Sequence, residues 1–186
     1  ILAATMESTT LRLTGPWGTL DLCTPLIGRH NAMNLLQALA AMWHIARAVP
    51  GKTAFARAAD ALARVPAPAG RLERVSLPSD DLTVLVDYAH TPDAMASVLR
   101  AVRCVAASRP VAIVFGAGGD KDKGKRPLMG RVAADPADRI VITSDNPRSE
   151  PPRGIIAEII EGIEASKRPD LEVHADRERA IHTAIA

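Results

Sequence analysis

Several of the usual signposts are missing from this chain. Only two of its 186 residues are cysteine. Cys23 and Cys104 form no metal-ligand or redox spacing, so a reducing compartment is the default. No apolar run approaches the ~18 residues a membrane span requires. The first residues show no basic stretch followed by an apolar core, so no signal peptide is visible. Neither sign of charge dominates: 23 Lys and Arg against 21 Asp and Glu leave a formal net charge of +2. That balance makes no case for a nucleic-acid or membrane-surface partner, and neither is expected. Aromatics are scarce, at 3%, while Ala and Arg are abundant; neither fact excludes a function. What remains is an ordinary globular composition, 47% hydrophobic and 24% charged, which suffices for one domain or one domain plus part of another.

The chain opens at Ile1 within a strand-like pattern and stops at Ala186 within a helical one, so a fragment of a longer protein is expected. Loose alternation from Thr9 to Thr24 around Gly15-Pro16-Trp17-Gly18 predicts an antiparallel hairpin. Leu35, Leu36, Leu39, Ala40, Met42 and Trp43 recur at helical spacing, in a helix expected to end near Pro50-Gly51. Phe55, Ala58, Ala59, Leu62 and Val65 mark a second amphipathic segment. Pro66-Ala67-Pro68-Ala69-Gly70 then breaks both pattern and composition and reads as a linker.

Beyond Arg71 the pattern becomes strand-helix alternation. It predicts a parallel, doubly wound sheet with strands near 82–86, 111–115, 139–143 and 171–173. The intervening helices carry Met95, Val98, Leu99 and Val102; Leu128, Met129 and Val132; and Ile155, Ile156, Ile159, Ile160 and Ile163. Pro151-Pro152 suits the first turn of the third of these helices. Asp176 is the expected N-cap of a last helix, with Ile181, Ala184 and Ile185 inward.

Common catalytic signatures fail. Gly51-Lys52-Thr53 is not a phosphate loop, because Ala46 stands where that motif needs its first Gly. Gly116-Ala117-Gly118 misses the dinucleotide fingerprint at Lys121. Asp120-Lys121-Asp122 opens like a calcium loop, but Arg131 occupies the position of the required Glu.

The informative stretch is Val111 to Arg148. Two buried strands each run into a polar loop: Gly116-Ala117-Gly118-Gly119-Asp120-Lys121-Asp122-Lys123-Gly124-Lys125-Arg126, and Ser144-Asp145-Asn146-Pro147-Arg148. Open parallel sheets bind ligands beyond the carboxyl ends of their strands. Glycines admit a close backbone approach, and the cations that follow favour an anion. Arg148 offers a planar fork for a carboxylate or phosphate, near the start of a helix. At the surface it could instead simply pair with Glu150. Asp87-Tyr88-Ala89-His90 can be a helix-capping turn with Thr91 or Asp93 as cap, or can present a carboxylate to a ribose hydroxyl. His30-Asn31 can equally be a plain N-cap, and Arg71 a routine surface arginine.

Five ordered motifs carry a family resemblance. They are Gly28-Arg29-His30-Asn31-Ala32-Met33-Asn34, Gly70-Arg71-Leu72-Glu73, Asp87-Tyr88-Ala89-His90-Thr91-Pro92-Asp93, Phe115-Gly116-Ala117-Gly118-Gly119-Asp120 and Asp145-Asn146-Pro147-Arg148. In this order the chain resembles the Mur ligases, specifically their meso-diaminopimelate-adding branch. The resemblance implies residues 1–69 as the tail of a central ATP-binding domain. It implies residues 70–186 as most of a Rossmann-like C-terminal domain, truncated before its last strand. It also implies a cytoplasmic, monomeric enzyme that uses ATP and Mg2+ to join meso-diaminopimelate to UDP-MurNAc-L-Ala-D-Glu through an acyl phosphate.

By the same resemblance, Asn31 approaches the adenine, Arg71 the γ-phosphate and Asp87 the ribose, with His90 near the nucleotide. Lys121, Asp145, Asn146 and Arg148 bind the added amino acid. Lys121 stands where the family pattern has Arg, a point charge in place of a fork. The family's phosphate loop and its magnesium-bridging lysine do not occur in this sequence, so the chain alone is expected to be inactive. Alternatives are a folylpolyglutamate or cyanophycin type of ligase, against which Asp145-Asn146-Pro147-Arg148 argues, and a nucleotide-binding module without catalysis.

Overall fold

The computed structural model describes residues 1–48, 54–166 and 171–186. The helix end expected near Pro50-Gly51 and the rejected Gly51-Lys52-Thr53 motif lie outside the described residues. The chain divides into two compact units, Ile1–Tyr88 and Ala89–Ala186.

In the first unit, β1 (Ala3–Ala4), β2 (Thr9–Gly15) and β3 (Gly18–Thr24) form an antiparallel sheet in that order. Gly15 pairs with Gly18, so Pro16-Trp17 is the two-residue hairpin loop, and Gly18 takes φ 91. Leu11, Leu13 and Leu22 bury one face against Leu35 and Leu39 of α1 (Arg29–Ala48) and Ala59 of α2 (Ala54–Ala63). Three of the scarce aromatics meet here: Trp17 lies 5.6 Å from Phe55, and Trp43 lies 5.1 Å from Phe55, edge-on.

The same unit holds a small antiparallel pair, β4 (Glu73–Arg74) with β5 (Leu85–Val86). This corrects one expectation. The 82–86 run does not join the parallel sheet, and only Leu85–Val86 is a strand within it. Ser76 and Asp80 explain the difference. Leu77 N donates to Asp80 Oδ2 (2.7 Å) and Val84 N to Ser76 Oγ (3.0 Å), so the segment folds back on itself and meets its backbone needs locally. Leu82 and Val86 stay exposed.

The second unit is a Rossmann-like α/β layer. Its sheet is parallel, in the order β6 (Ala112–Phe115), β7 (Arg139–Thr143), β8 (Leu171–His174). Each step between strands passes through a helix, α4 (Lys125–Ala134) and then α5 (Pro152–Glu161). Ahead of the sheet stands α3 (Pro92–Ala106), capped as the sequence suggested: Pro92 opens it and Thr91 Oγ1 accepts from Ala94 N. Ile140 and Ile142 point into a core with Met129, Ala133, Ile155, Ile156, Ile159 and Ile163. Burying each isoleucine contributes about 1.5–3 kcal/mol relative to exposure. Between them Val141 is equally buried and, by the two-residue period of a strand, faces the other side. There α6 (Arg177–Ile185) packs along β6, β7 and β8. Asp176 caps α6 by accepting from Arg179 N.

Val65, expected on the apolar face of the second segment, lies beyond the end of α2 and is exposed. In the second unit the expected core residues Leu128, Ile181 and Ile185 are exposed as well. Small residues decide this. Beside Arg126 and Met129, the buried residues of α4 are the small Gly130, Ala133 and Ala134, and that of α6 is Ala180. A Cβ on Gly130 would overlap the Ile159 carbonyl, so α4 and α5 approach at backbone distance and Leu128 lies outside their contact.

Candidate functional site

In the first unit, Gly28 (φ 95) turns the chain into α1, and its carbonyl accepts from Asn31 N (3.1 Å). The Asn31 side chain is buried. It donates to Ile27 O (2.8 Å) and accepts from Asn34 Nδ2 (3.4 Å), so its amide plane is held in one orientation. Arg71 and Asp87, far apart in sequence, come together. Asp87 Oδ2 accepts from Leu72 N (2.8 Å), and Tyr88 N donates to Gly70 O (2.8 Å). These bonds close the turn in which Gly70 and Leu72 take φ 66 and 49. The Arg71 guanidinium carbon sits 5.0 Å from the centroid of the exposed Tyr88 ring. A cation–π contact of this kind at an exposed site contributes about 0.5–1 kcal/mol and keeps the charge oriented.

In the second unit, His90 is exposed at the entry to α3, and its carbonyl accepts from Lys125 Nζ (2.9 Å). The two polar loops after β6 and β7 are stitched together beyond the carboxyl ends of those strands. Gly119 N donates to Asn146 O (3.1 Å), and Arg148 Nη1 donates to Gly119 O. Asp120 accepts from Ser149 Oγ (2.6 Å) and Ser149 N (3.2 Å). Asp145, Asn146 and Arg148 therefore share one turn and stay exposed, with Lys121 exposed on the facing loop. Asp120 and Arg148 both adopt positive φ, 52 and 51, a conformation non-glycine residues hold only when their surroundings enforce it.

Arg148 does not pair with Glu150. That carboxylate is taken by Arg126, whose Nη1 and Nη2 donate to its two oxygens at 2.9 and 2.7 Å. Lys123 adds a second cation at 3.3 Å. Arg126 is fully buried and also donates to Glu158 Oε2 (2.6 Å) and Gly118 O (3.3 Å). The motif reading missed it, although a signal was available. Met129, Gly130 and Ala133 define the buried stripe of α4, and one turn back along that stripe lies Arg126.

Arg126 holds the Glu150 carboxyl down to about pH 2, helped by the Asp120 N–H and Lys123. The Asp120 carboxyl is likewise lowered, chiefly by the Ser149 hydroxyl. A lowered carboxylate stabilises the fold above its unfolded pKa of 4.5, and that contribution is lost as pH falls toward about 2. Stability of the second unit is therefore expected to show no dependence on Glu150 between pH 7 and 5 and to fall below pH 4.5. Urea midpoints of wild type and Glu150→Gln should converge as the pH is lowered through this window; a constant gap would contradict the assignment.

Among the described residues no group of three or more His, Cys, Asp or Glu could hold a metal. No described helix is long and apolar enough to cross a membrane. A shallow groove of about 350 Å³ between α5 and the end of β8 is lined by Ile156, Ala157, Ile160, Val173, Ala175 and Arg153. It is mostly apolar and carries none of the residues above.

The Mur ligase, glutamate ligase domain matches residues 70–186. Over all 186 residues the chain is 45% identical to a UDP-N-acetylmuramoyl-L-alanyl-D-glutamate–2,6-diaminopimelate ligase of Chromobacterium violaceum, covering 36% of that protein. It is 47% identical over 170 residues to the ligase of the same name from Synechococcus elongatus, covering 91% of this chain and 32% of that protein. The chain thus spans about a third of the length of these curated relatives. A solved structure of a ligase of that name aligns over 96% of this chain and 35% of its own, with TM-score 0.63 and 35% identity. Folylpolyglutamate synthase from Thermotoga maritima aligns over 98% of this chain and 40% of its own, with TM-score 0.73 at 20% identity, a likeness of fold alone. A family match across the whole strand-helix region, with relatives 45–47% identical over 170 to 186 residues, makes this chain a member of the Mur ligase family.

Proposed function

We propose that this chain is part of an ATP-dependent ligase that adds meso-diaminopimelate to UDP-MurNAc-L-Ala-D-Glu in peptidoglycan synthesis. In this reading residues 1–69 are the tail of the central ATP-binding domain and 70–186 most of the C-terminal domain. The observation that carries it is the stitched pair of strand-end loops presenting Arg148 beside Asp145 and Asn146. The names of the 45–47% identical relatives support the same substrate.

The chemistry has a simple requirement. A carboxylate is a poor electrophile. Transfer of the γ-phosphoryl group of ATP to its oxygen gives an acyl phosphate and ADP. Attack by the amine on the acyl carbon forms the amide and expels phosphate, and the amine loses its proton. Catalysis of such a transfer is chiefly positioning and charge stabilisation. Arg71, oriented on Tyr88, is assigned to the γ-phosphate, Asp87 to the ribose and Asn31 to the adenine, with His90 near the nucleotide. Lys121 and Arg148 meet carboxylates of the incoming amino acid, and Asp145 and Asn146 meet its far-end ammonium. ATP is used with Mg2+ in the full-length enzyme, which is placed in the cytoplasm as a monomer.

The test offers the full-length protein ATP, Mg2+, UDP-MurNAc-L-Ala-D-Glu and diaminopimelate. Mass spectrometry should show the tripeptide, with phosphate released in step with the amide. Ligation of glutamate to a folate acceptor, or no ligation of any amine, would defeat the reading.

A further inference from the structure

We propose that Arg126 is a positioning residue for the incoming amino acid, holding through Glu150 the two strand-end loops in the register that presents Arg148; this rests on the amino-acid site assigned above. Arg126 has no exposed surface, so it cannot touch a substrate and must act through its partners. A buried ion pair is a weak source of stability, since apolar residues of similar volume often do as well. What a buried bidentate pair adds is orientation.

The bonds form a closed path. Arg126 grips both oxygens of Glu150. Glu150 Oε1 also accepts from Asp120 N (2.6 Å), which ties α4 to the loop after β6. Asp120 in turn accepts from the backbone and hydroxyl of Ser149, the neighbour of Arg148. On the other side Arg126 donates to Gly118 O, and the next carbonyl, that of Gly119, receives Arg148 Nη1. Both positive-φ residues, Asp120 and Arg148, lie on this path. Their backbone is held in a sparsely populated state by contacts that converge on one guanidinium. Loosening Arg126 should therefore let Arg148 leave its substrate-ready position while the sheet beneath remains folded.

The experiment compares wild type, Glu150→Gln and Arg126→Lys in the full-length ligase. Lysine keeps the charge and loses the fork. Both variants should raise KM for the incoming amino acid roughly tenfold, the equivalent of about 1.4 kcal/mol, while KM for ATP and for the nucleotide dipeptide stays at the wild-type value. Amide exchange at Gly119 and Asp120 should quicken by roughly tenfold or more, with the Ile142 amide in β7 as protected as before. All three KM values rising together, kcat falling alone, or unchanged exchange at Gly119 and Asp120 would overturn the proposal. Wild type is assayed with diaminopimelate and with lysine first. A preference for lysine removes only the substrate reading, and Arg126 is then judged on KM for lysine. A wild-type protein that ligates no amine removes both.

Discussion

Replacing Arg148 with Ala in the full-length ligase is expected to lower kcat/KM for diaminopimelate selectively, by roughly tenfold or more relative to lysine, equivalent to about 1.4 kcal/mol. Diaminopimelate differs from lysine by one carboxylate at its far end. A site that takes the first and rejects the second needs a cation fixed at that distance from the reacting amine. Pro147 stiffens the approach to Arg148, and the bond from Arg148 Nη1 to Gly119 O anchors one corner of the guanidinium. The fork can then grip a carboxylate through two hydrogen bonds. Leaving such a group unpaired when lysine binds costs on the order of 1–3 kcal/mol, or more for a charge. The simple surface pairing with Glu150 that would make Arg148 unimportant does not occur, because Arg126 holds that carboxylate. Arg148→Lys should show the same selective loss. Equal losses for both amino acids, or none, would leave Arg148 structural and remove the main physical reason for naming diaminopimelate.

Gly119→Ala is expected to damage both the stability of the second unit and its use of the amino acid. A Cβ at this position would overlap the Pro147 carbonyl, with the Pro147 carbonyl carbon and Cα also in close contact. These neighbours are backbone atoms of the turn that carries Arg148, and they cannot swing aside as a side chain could. Either the two loops separate, losing the Gly119 N to Asn146 O bond, or the strain stays in the fold. Forced overpacking of this kind costs about 1–3 kcal/mol, occasionally more. The urea midpoint should fall and use of the amino acid should be largely lost. Gly118→Ala is the internal comparison. Its Cβ would lie 3.3 Å from Arg148 Nη1, the far end of a flexible side chain, so stability should change little. Equal urea midpoints for Gly119→Ala and wild type would show that the loops are not locked together.

The parts of this protein that are written in local sequence are those whose physics is local. A two-residue period around Gly15-Pro16-Trp17-Gly18 suffices for the hairpin, because alternation and the turn act within a few residues. Thr91 and Asp176 announce helix starts because a cap bonds to a backbone N–H three positions on. The apolar runs at 111–115 and 139–143 mark the parallel strands, and the polar residues that end them mark where the site stands. Tertiary structure alone decided the rest. The 82–86 run carries the same apolar signal as the true sheet strands, and only its fold-back onto Glu73–Arg74 excludes it. Arg126 reads as one more cation in a charged loop until α4 turns it inward onto Glu150 and Glu158, 24 and 32 residues away. Composition and periodicity report whether a residue can be buried. They do not report which distant carboxylate waits there, because that pairing depends on how helices and strands have already packed.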